Sequence, residues 1–255
     1  MDIRNKVVII TGASAGIGLA TAKLFAKSGA KVALAARSKD KLNKLASGLQ
    51  NSLAVPTDMT KTISIKNMVK EVYNHYGHID ILINNAGQGF DGLVKHIGIK
   101  EYHYIIDLDL IGPLIAMQEV IPIMRRQGGG AIINISSGLS KMYIPSMAGY
   151  ASIKSALNTI SLTAREELAN DKIVVSVVYP YMTATDFEKN TITSKNYNSK
   201  QEVIEPDEEY NNLPPPDSAE TVAKSILEVA ISERAEQFVH DWLEGKIIHN
   251  ILINA

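Results

Sequence analysis

The sequence predicts an α/β fold: one doubly wound, mainly parallel, seven-stranded sheet with helices on both faces. Three observations carry this prediction. Short β-branched apolar runs recur along the chain, helical patterns separate them, and no internal repeat or linker divides the 255 residues. Parallel strands buried on both faces read as continuous apolar runs, and their alternation with helices marks crossover connections. The length suits one large domain with a substantial core, so residues 1–255 are expected to form a single unit.

Lys6-Val-Val-Ile-Ile-Thr11 is the first strand, bounded by charge and glycine. Gly12-Ala-Ser-Ala-Gly16-Ile-Gly18 follows, then a helical pattern over 19–26. Residues 31–36 form the second strand. Ser38 is placed to cap the next helix, with Asp40 in its first turn, where the helix dipole favours an acid. A third strand at 53–56, a helix at 63–75 and a fourth strand at 80–84 come next. A long helix over 100–126 contains Pro113 and Pro122, which are expected to bend it. Gly128-Gly-Gly130 ends it. Strands at 131–136, 173–179 and 237–240 complete the sheet.

Residues 183–216 break the rhythm. They are polar, carry Glu202, Glu205, Asp207, Glu208 and Glu209, and close in Pro214-Pro-Pro216. Long loops at the carboxyl end of such a sheet often carry a substrate pocket, so this stretch reads as a lid.

The net charge of −1, with no dense basic run, argues against a nucleic-acid partner. With no cysteine there are no disulfides or thiolate metal sites, and no metal site is expected. The N-terminal residues lack a signal-peptide pattern, and no run of about 18 apolar residues appears. A soluble cytoplasmic protein without membrane contact is the expectation.

The helix expected over 150–169 opens with Tyr150-Ala-Ser-Ile-Lys154. Positions i and i+4 share a helix face, so the phenol and the ammonium can serve one site. A free tyrosine titrates near ~10; a nearby cation favours the phenolate and brings the value towards the working pH. The pair also recurs on solvated helix faces, so its meaning depends on the rest of the chain. The glycine turn supplies that context. Strand, glycine-rich turn and helix form a dinucleotide cradle, in which glycines admit a pyrophosphate and the helix start offers free N–H groups. The spacing Gly12-x3-Gly16-x-Gly18 departs from the G-x-G-x-x-G fingerprint.

Together, Thr11-Gly-Ala-Ser-Ala-Gly-Ile-Gly18, Asn84-Asn-Ala-Gly87, Ser137 and Tyr150-x3-Lys154 resemble the short-chain dehydrogenase/reductase family, in the right order and across essentially the whole chain. The resemblance implies a Rossmann-type domain with strand order 3-2-1-4-5-6-7 and a nicotinamide cofactor. It also implies a homodimer or homotetramer built on the helices at 100–126 and 150–169. Gly12, Ser14, Gly16, Ile17 and Gly18 would line the cofactor, and Asp58 would hold the adenine amino group. Asn84, Asn85, Ala86 and Gly87 would shape the floor. Ser137 would hydrogen-bond the substrate carbonyl, Tyr150 would pass the proton, and Lys154 would bind the ribose and lower the phenol's pKa. Pro180 and Thr185 would reach the carboxamide.

Three positions depart from the family pattern. Asp109 stands where the family has an asparagine that fixes a proton-relaying water, and it is counted with the catalytic candidates. Tyr181 replaces a glycine after Pro180 and is expected to face the nicotinamide region. The chain end, with Trp242-Leu243, Ile247-Ile248 and residues 251–253, is unusually apolar; packing between subunits or resting on a membrane surface would explain it.

Cofactor choice reads from the end of the second strand. NAD-specific relatives place an acid there to bind the ribose hydroxyls. Here Ala36 is followed by Arg37, suited to a 2′-phosphate, with Ser14 nearby; Asp40 suits helix capping better. The expectation is an NADP(H)-dependent oxidoreductase interconverting a small-molecule carbonyl and a secondary alcohol. Substrates of 3-oxoacyl-thioester, sugar or polyol, and steroid types all fit. The rival reading is a nucleotide-binding regulatory or scaffold protein with weak catalysis, fed by Asp109 and Tyr181 and opposed by the intact Ser137, Tyr150 and Lys154.

Overall fold

In the computed structural model, residues 1–195, 197–198 and 214–244 are described. The chain runs β1 (Val7–Thr11), α1 (Gly16–Lys27), β2 (Lys31–Ala36), α2 (Lys39–Gly48), β3 (Ser52–Pro56), α3 (Thr62–Tyr76) and β4 (Ile81–Asn84). It continues through α4 (Ile99–Ile106), α5 (Gly112–Gln127), β5 (Gly130–Ile135), α6 (Ala148–Glu167), β6 (Ile173–Tyr179), α7 (Ala219–Ser232) and β7 (Glu236–Phe238). These seven strands form one sheet in the order 3-2-1-4-5-6-7, every pair parallel. The fold is the doubly wound Rossmann type that the strand–helix alternation predicts.

Successive strand residues point to opposite faces, and the two cores follow that period. Val8, Ile10, Val32, Leu34, Ile81 and Ile83 pack with Phe25, Leu42 and Ile226, under α1, α2 and α7. Val7, Ile9, Ala33, Val55 and Leu82 pack with Met68, Val120 and Ala164, under α3, α5 and α6. The carboxyl ends of β1, β4 and β5 thus come to one edge, where the glycine turn, Asn85–Gly87 and Ser137 lie.

The long helix is interrupted rather than merely bent. Between α4 and α5, Asp107–Ile111 forms a π-turn, and the Gly112 N–H reaches back to the Asp107 carbonyl. Pro113 has no N–H to give the carbonyl four residues earlier, which belongs to Asp109, so the ladder slips there. Pro122 leaves α5 unbroken. Ser38 stands at the N-cap of α2, but its side chain makes no capping hydrogen bond.

The first part of the expected lid packs on the body of the protein. Phe90–Asp91 and Ile192–Thr193 pair as a small second parallel sheet. Ser194 is buried; its hydroxyl accepts the Gly98 N–H at 2.8 Å and donates to the His96 carbonyl. The segment entering from β6 is therefore docked on the loop after β4, not free. The remainder of the expected lid, residues 196 and 199–213, lies outside the described residues. At the chain end, Leu243 is fully buried within its own subunit against Val177 and Tyr179, with Trp242 alongside. Leu243 is thereby taken up by its own subunit rather than left for packing between subunits or on a membrane, while Trp242 is only partly buried; 247–253 lie outside the described residues.

Candidate active site

The glycine turn is packed too closely for side chains. A Cβ on Gly18 would lie 2.4 Å from the Gly12 carbonyl oxygen, and one on Gly12, at φ +70°, would lie 2.9 Å from the Ala86 Cα. Thr11 and Asn85 lock the turn to the β4 loop. The Thr11 hydroxyl accepts the N–H groups of Asn85 (2.9 Å) and Ala86 (3.0 Å), and Asn85 Nδ2 donates to the Thr11 carbonyl (2.8 Å). Thr11 was not among the site residues read from sequence, although a hydroxyl at the last strand position was the available signal.

The start of α1 fits a dinucleotide. Its cap residue Ala15 makes no side-chain capping bond and its first turn holds no acid, so the chain leaves positive dipole and N–H donors to a ligand. Thr185 faces this turn, its Cγ2 only 3.4 Å from where a Gly16 Cβ would stand. Ser14 and Ile17 are half-buried within the turn. Pro180 accepts the Gly138 N–H at 2.9 Å and so ties the Thr185 segment to the Ser137 loop.

At the adenine side, Arg37 is exposed and donates to the Tyr104 hydroxyl at 3.3 Å. Burial works against ionisation of Asp58, but Thr60's N–H and hydroxyl, with help from Arg37, hold its carboxyl below the usual value. Asn84 sits beneath the floor residues 85–87 and supports the sheet. It is buried in the sheet, donating to Asn134 Oδ1 at 2.8 Å, and Asn134 in turn donates to Ser161.

Tyr150 and Lys154 lie on the buried face of α6. Lys154 Nζ is 5.7 Å from the Tyr150 ring centroid, 3.1 Å from the Ile135 carbonyl and 3.1 Å from Asp109 Oδ2. An ammonium has three donors, so one N–H remains for a ligand or the phenol side. Asp109, fully buried in the π-turn, accepts the Gln88 N–H on its other oxygen at 3.1 Å. Gly87 makes room for it: a Cβ there would lie 2.7 Å from Asp109 Oδ2. Asp109 thus touches the lysine directly, instead of only through the relayed water that the family pattern suggests.

Burial pushes the Tyr150 phenol up; the Lys154 ammonium pulls it down, the Asp109 carboxylate pushes it up again, and a hydrogen bond with Ser137 lowers it. The net direction is upward. Burial disfavours the Lys154 charge, yet Asp109 and Tyr150 outweigh it and raise its pKa. Complete burial raises Asp109 despite the neighbouring ammonium. Ser137 is itself fixed, its Oγ accepting the Leu139 N–H at 3.2 Å. Tyr181 does not turn toward this cluster: its ring packs on His240 and Trp242, and its hydroxyl donates to the Pro214 carbonyl.

A dinucleotide-type sheet with a Ser–Tyr–Lys cluster beside its glycine turn defines a class of oxidoreductases. The profile of the short chain dehydrogenase family matches residues 6–196, and the chain belongs to that family. An uncharacterized oxidoreductase of Staphylococcus saprophyticus is 33% identical over 246 residues, covering 95% of this chain and 96% of its own. A short-chain dehydrogenase from Streptomyces avermitilis has a TM-score of 0.87 and 26% identity, over 97% of this chain and 93% of that one. The 3-ketoacyl-(acyl-carrier-protein) reductase from Brucella melitensis, complexed with NADH, is alike in fold at TM-score 0.82 and 24% identity, over 93% and 97%. Among the described residues, no helix is long and apolar enough to cross a membrane.

Proposed function

We propose that the protein is an NADP(H)-dependent oxidoreductase interconverting a carbonyl and a secondary alcohol. The observation that carries this reading is Lys154 one helical turn from Tyr150 on the buried face of α6, its Nζ 5.7 Å from the phenol ring centroid, together with the uncapped start of α1. A bound nicotinamide would supply or accept the hydride. Ser137 orients the substrate oxygen, and Tyr150 gives it a proton in reduction or takes one in oxidation. Lys154 holds positive charge next to the phenol and keeps one donor for the ribose. Asp109, anchored by Gln88, positions the lysine and opposes phenolate formation.

Gly12, Gly16, Gly18 and the backbone of 85–87 would cradle the nucleotide, Thr185 would reach its carboxamide, and Asp58 would hold the adenine amino group. Arg37 favours a 2′-phosphate by charge-assisted hydrogen bonds, while Ala36 provides no acid for the ribose. The chain acts as one domain and assembles as a homodimer or homotetramer through α4–α6, where Ile99 and Ile111 are exposed. The test is loss of NADPH absorbance against a panel of ketones that includes a 3-oxoacyl thioester. Turnover supports the reading, and NADPH binding without turnover of any ketone favours a regulatory nucleotide binder. Asp109 favours that second reading, because its charge disfavours the phenolate.

A further inference from the structure

Phe187 stands over the Tyr150 ring, with centroids 6.0 Å apart and planes crossing at 62° in an edge-to-face contact. It is 38% exposed, so it is a wall between the phenol and solvent rather than part of the core. Both flanks of this residue are held. Its N–H donates to Thr185 Oγ1 at 3.2 Å, and its carbonyl accepts the Thr191 hydroxyl at 3.3 Å. Ile192 N–H bonds the Gly89 carbonyl at 2.9 Å, and the Gln88 side chain donates to the Asn190 carbonyl. The approach depends on Gly89: a Cβ there would lie 2.3 Å from Thr191 Oγ1 and 3.2 Å from Phe187 Cε1.

Phe90, Leu139 and Ile192 belong to the same apolar cluster as Tyr150, together with the rings of Tyr102 and Tyr104. The charges flanking Phe187 on the segment, Asp186, Glu188 and Lys189, are all exposed, and Asp186 and Lys189 pair with each other at 2.6 Å. A substrate group beside the reacting carbonyl therefore meets aromatic and aliphatic surface. Against the Phe187 ring a hydroxylated group would lose water without gaining a hydrogen-bond partner from the ring, whereas an apolar group gains by burial.

We infer that Phe187 is a specificity-determining residue that selects carbonyl substrates bearing an aryl or alkyl group next to the carbonyl over polyhydroxylated ones. The inference rests on the carbonyl-reducing reading above. Its test is kcat/KM with NADPH for ethyl benzoylformate and for erythrulose, in wild type, Phe187→Ala and Phe187→Leu. Wild type should prefer the aryl ketone. Phe187→Ala should cut that kcat/KM by about tenfold or more while changing the hydroxylated ketone by less than about threefold, the scale at which pocket carbons discriminate. Phe187→Leu should fall between, and it replaces the alanine variant if that one loses its thermal transition. Unchanged NADPH affinity should accompany these effects. Preference of wild type for erythrulose, or an equal fall for both ketones, overturns the inference while leaving the reductase reading intact. NADPH binding with no turnover of any ketone in the wider panel overturns both.

Discussion

Asp109 Oδ2 lies 3.1 Å from Lys154 Nζ, and both side chains are almost wholly removed from solvent. The ammonium is thus shared between Tyr150, whose ionisation it favours, and a carboxylate that partly cancels its effect. Alcohol oxidation needs the phenolate, so its rate rises with pH through the Tyr150 pKa; reduction needs the phenol and falls over the same range. Removing the Asp109 charge lowers that pKa. Asp109→Asn should keep activity and move the alkaline-side limb of alcohol oxidation to lower pH, measured as a kcat/KM profile. The groups titrate as a coupled set, so the limb reports the cluster.

The same pair predicts a stability contrast. Asp109→Asn keeps an acceptor for the Gln88 N–H and for Lys154. Asp109→Leu leaves a buried ammonium uncompensated and should cost about 3–5 kcal/mol in denaturant unfolding.

Arg37→Ala should weaken NADPH binding far more than NADH binding, because only NADPH carries the 2′-phosphate. Fluorescence titration with both cofactors checks this. Equal wild-type affinity for the two would remove the basis for NADP(H) preference.

Gly18→Ala sets a methyl against the Gly12 carbonyl, 2.4 Å from its oxygen, in a turn that Asn85 and Thr11 lock in place. The turn must shift, at a cost of about 1–3 kcal/mol. Lowered Tm together with weakened cofactor binding is the expected result.

The strands and most helices were legible because apolar runs and helical periodicity are local properties. Residues 6–11 and 173–179 read as strands without any knowledge of their neighbours. The catalytic candidates were legible as motifs, since Tyr150 and Lys154 are one turn apart in sequence as in space. What escaped detection depends on contacts between distant segments. The parallel pair Phe90–Asp91 and Ile192–Thr193 is only two residues long, too short for periodicity, so the docked part of the expected lid could not be recognised. Gln88 meets Asp109 and Phe187 meets Tyr150 only after the chain folds. Helix α7 had local signals, with Ser218 capping through the Thr221 N–H and Val222, Ile226 and Val229 on one buried face, yet the sequence reading places no element between residue 216 and the last strand.

The central claim is that Tyr150 carries the substrate's proton. Tyr150→Phe removes one hydroxyl and little volume, so folding and NADPH binding should be preserved. With a turned-over ketone, under conditions where chemistry limits the rate, kcat should fall by roughly 10²–10⁴-fold, the scale of a positioned acid/base group. Near-normal kcat in that variant would contradict the account and assign the proton to another group.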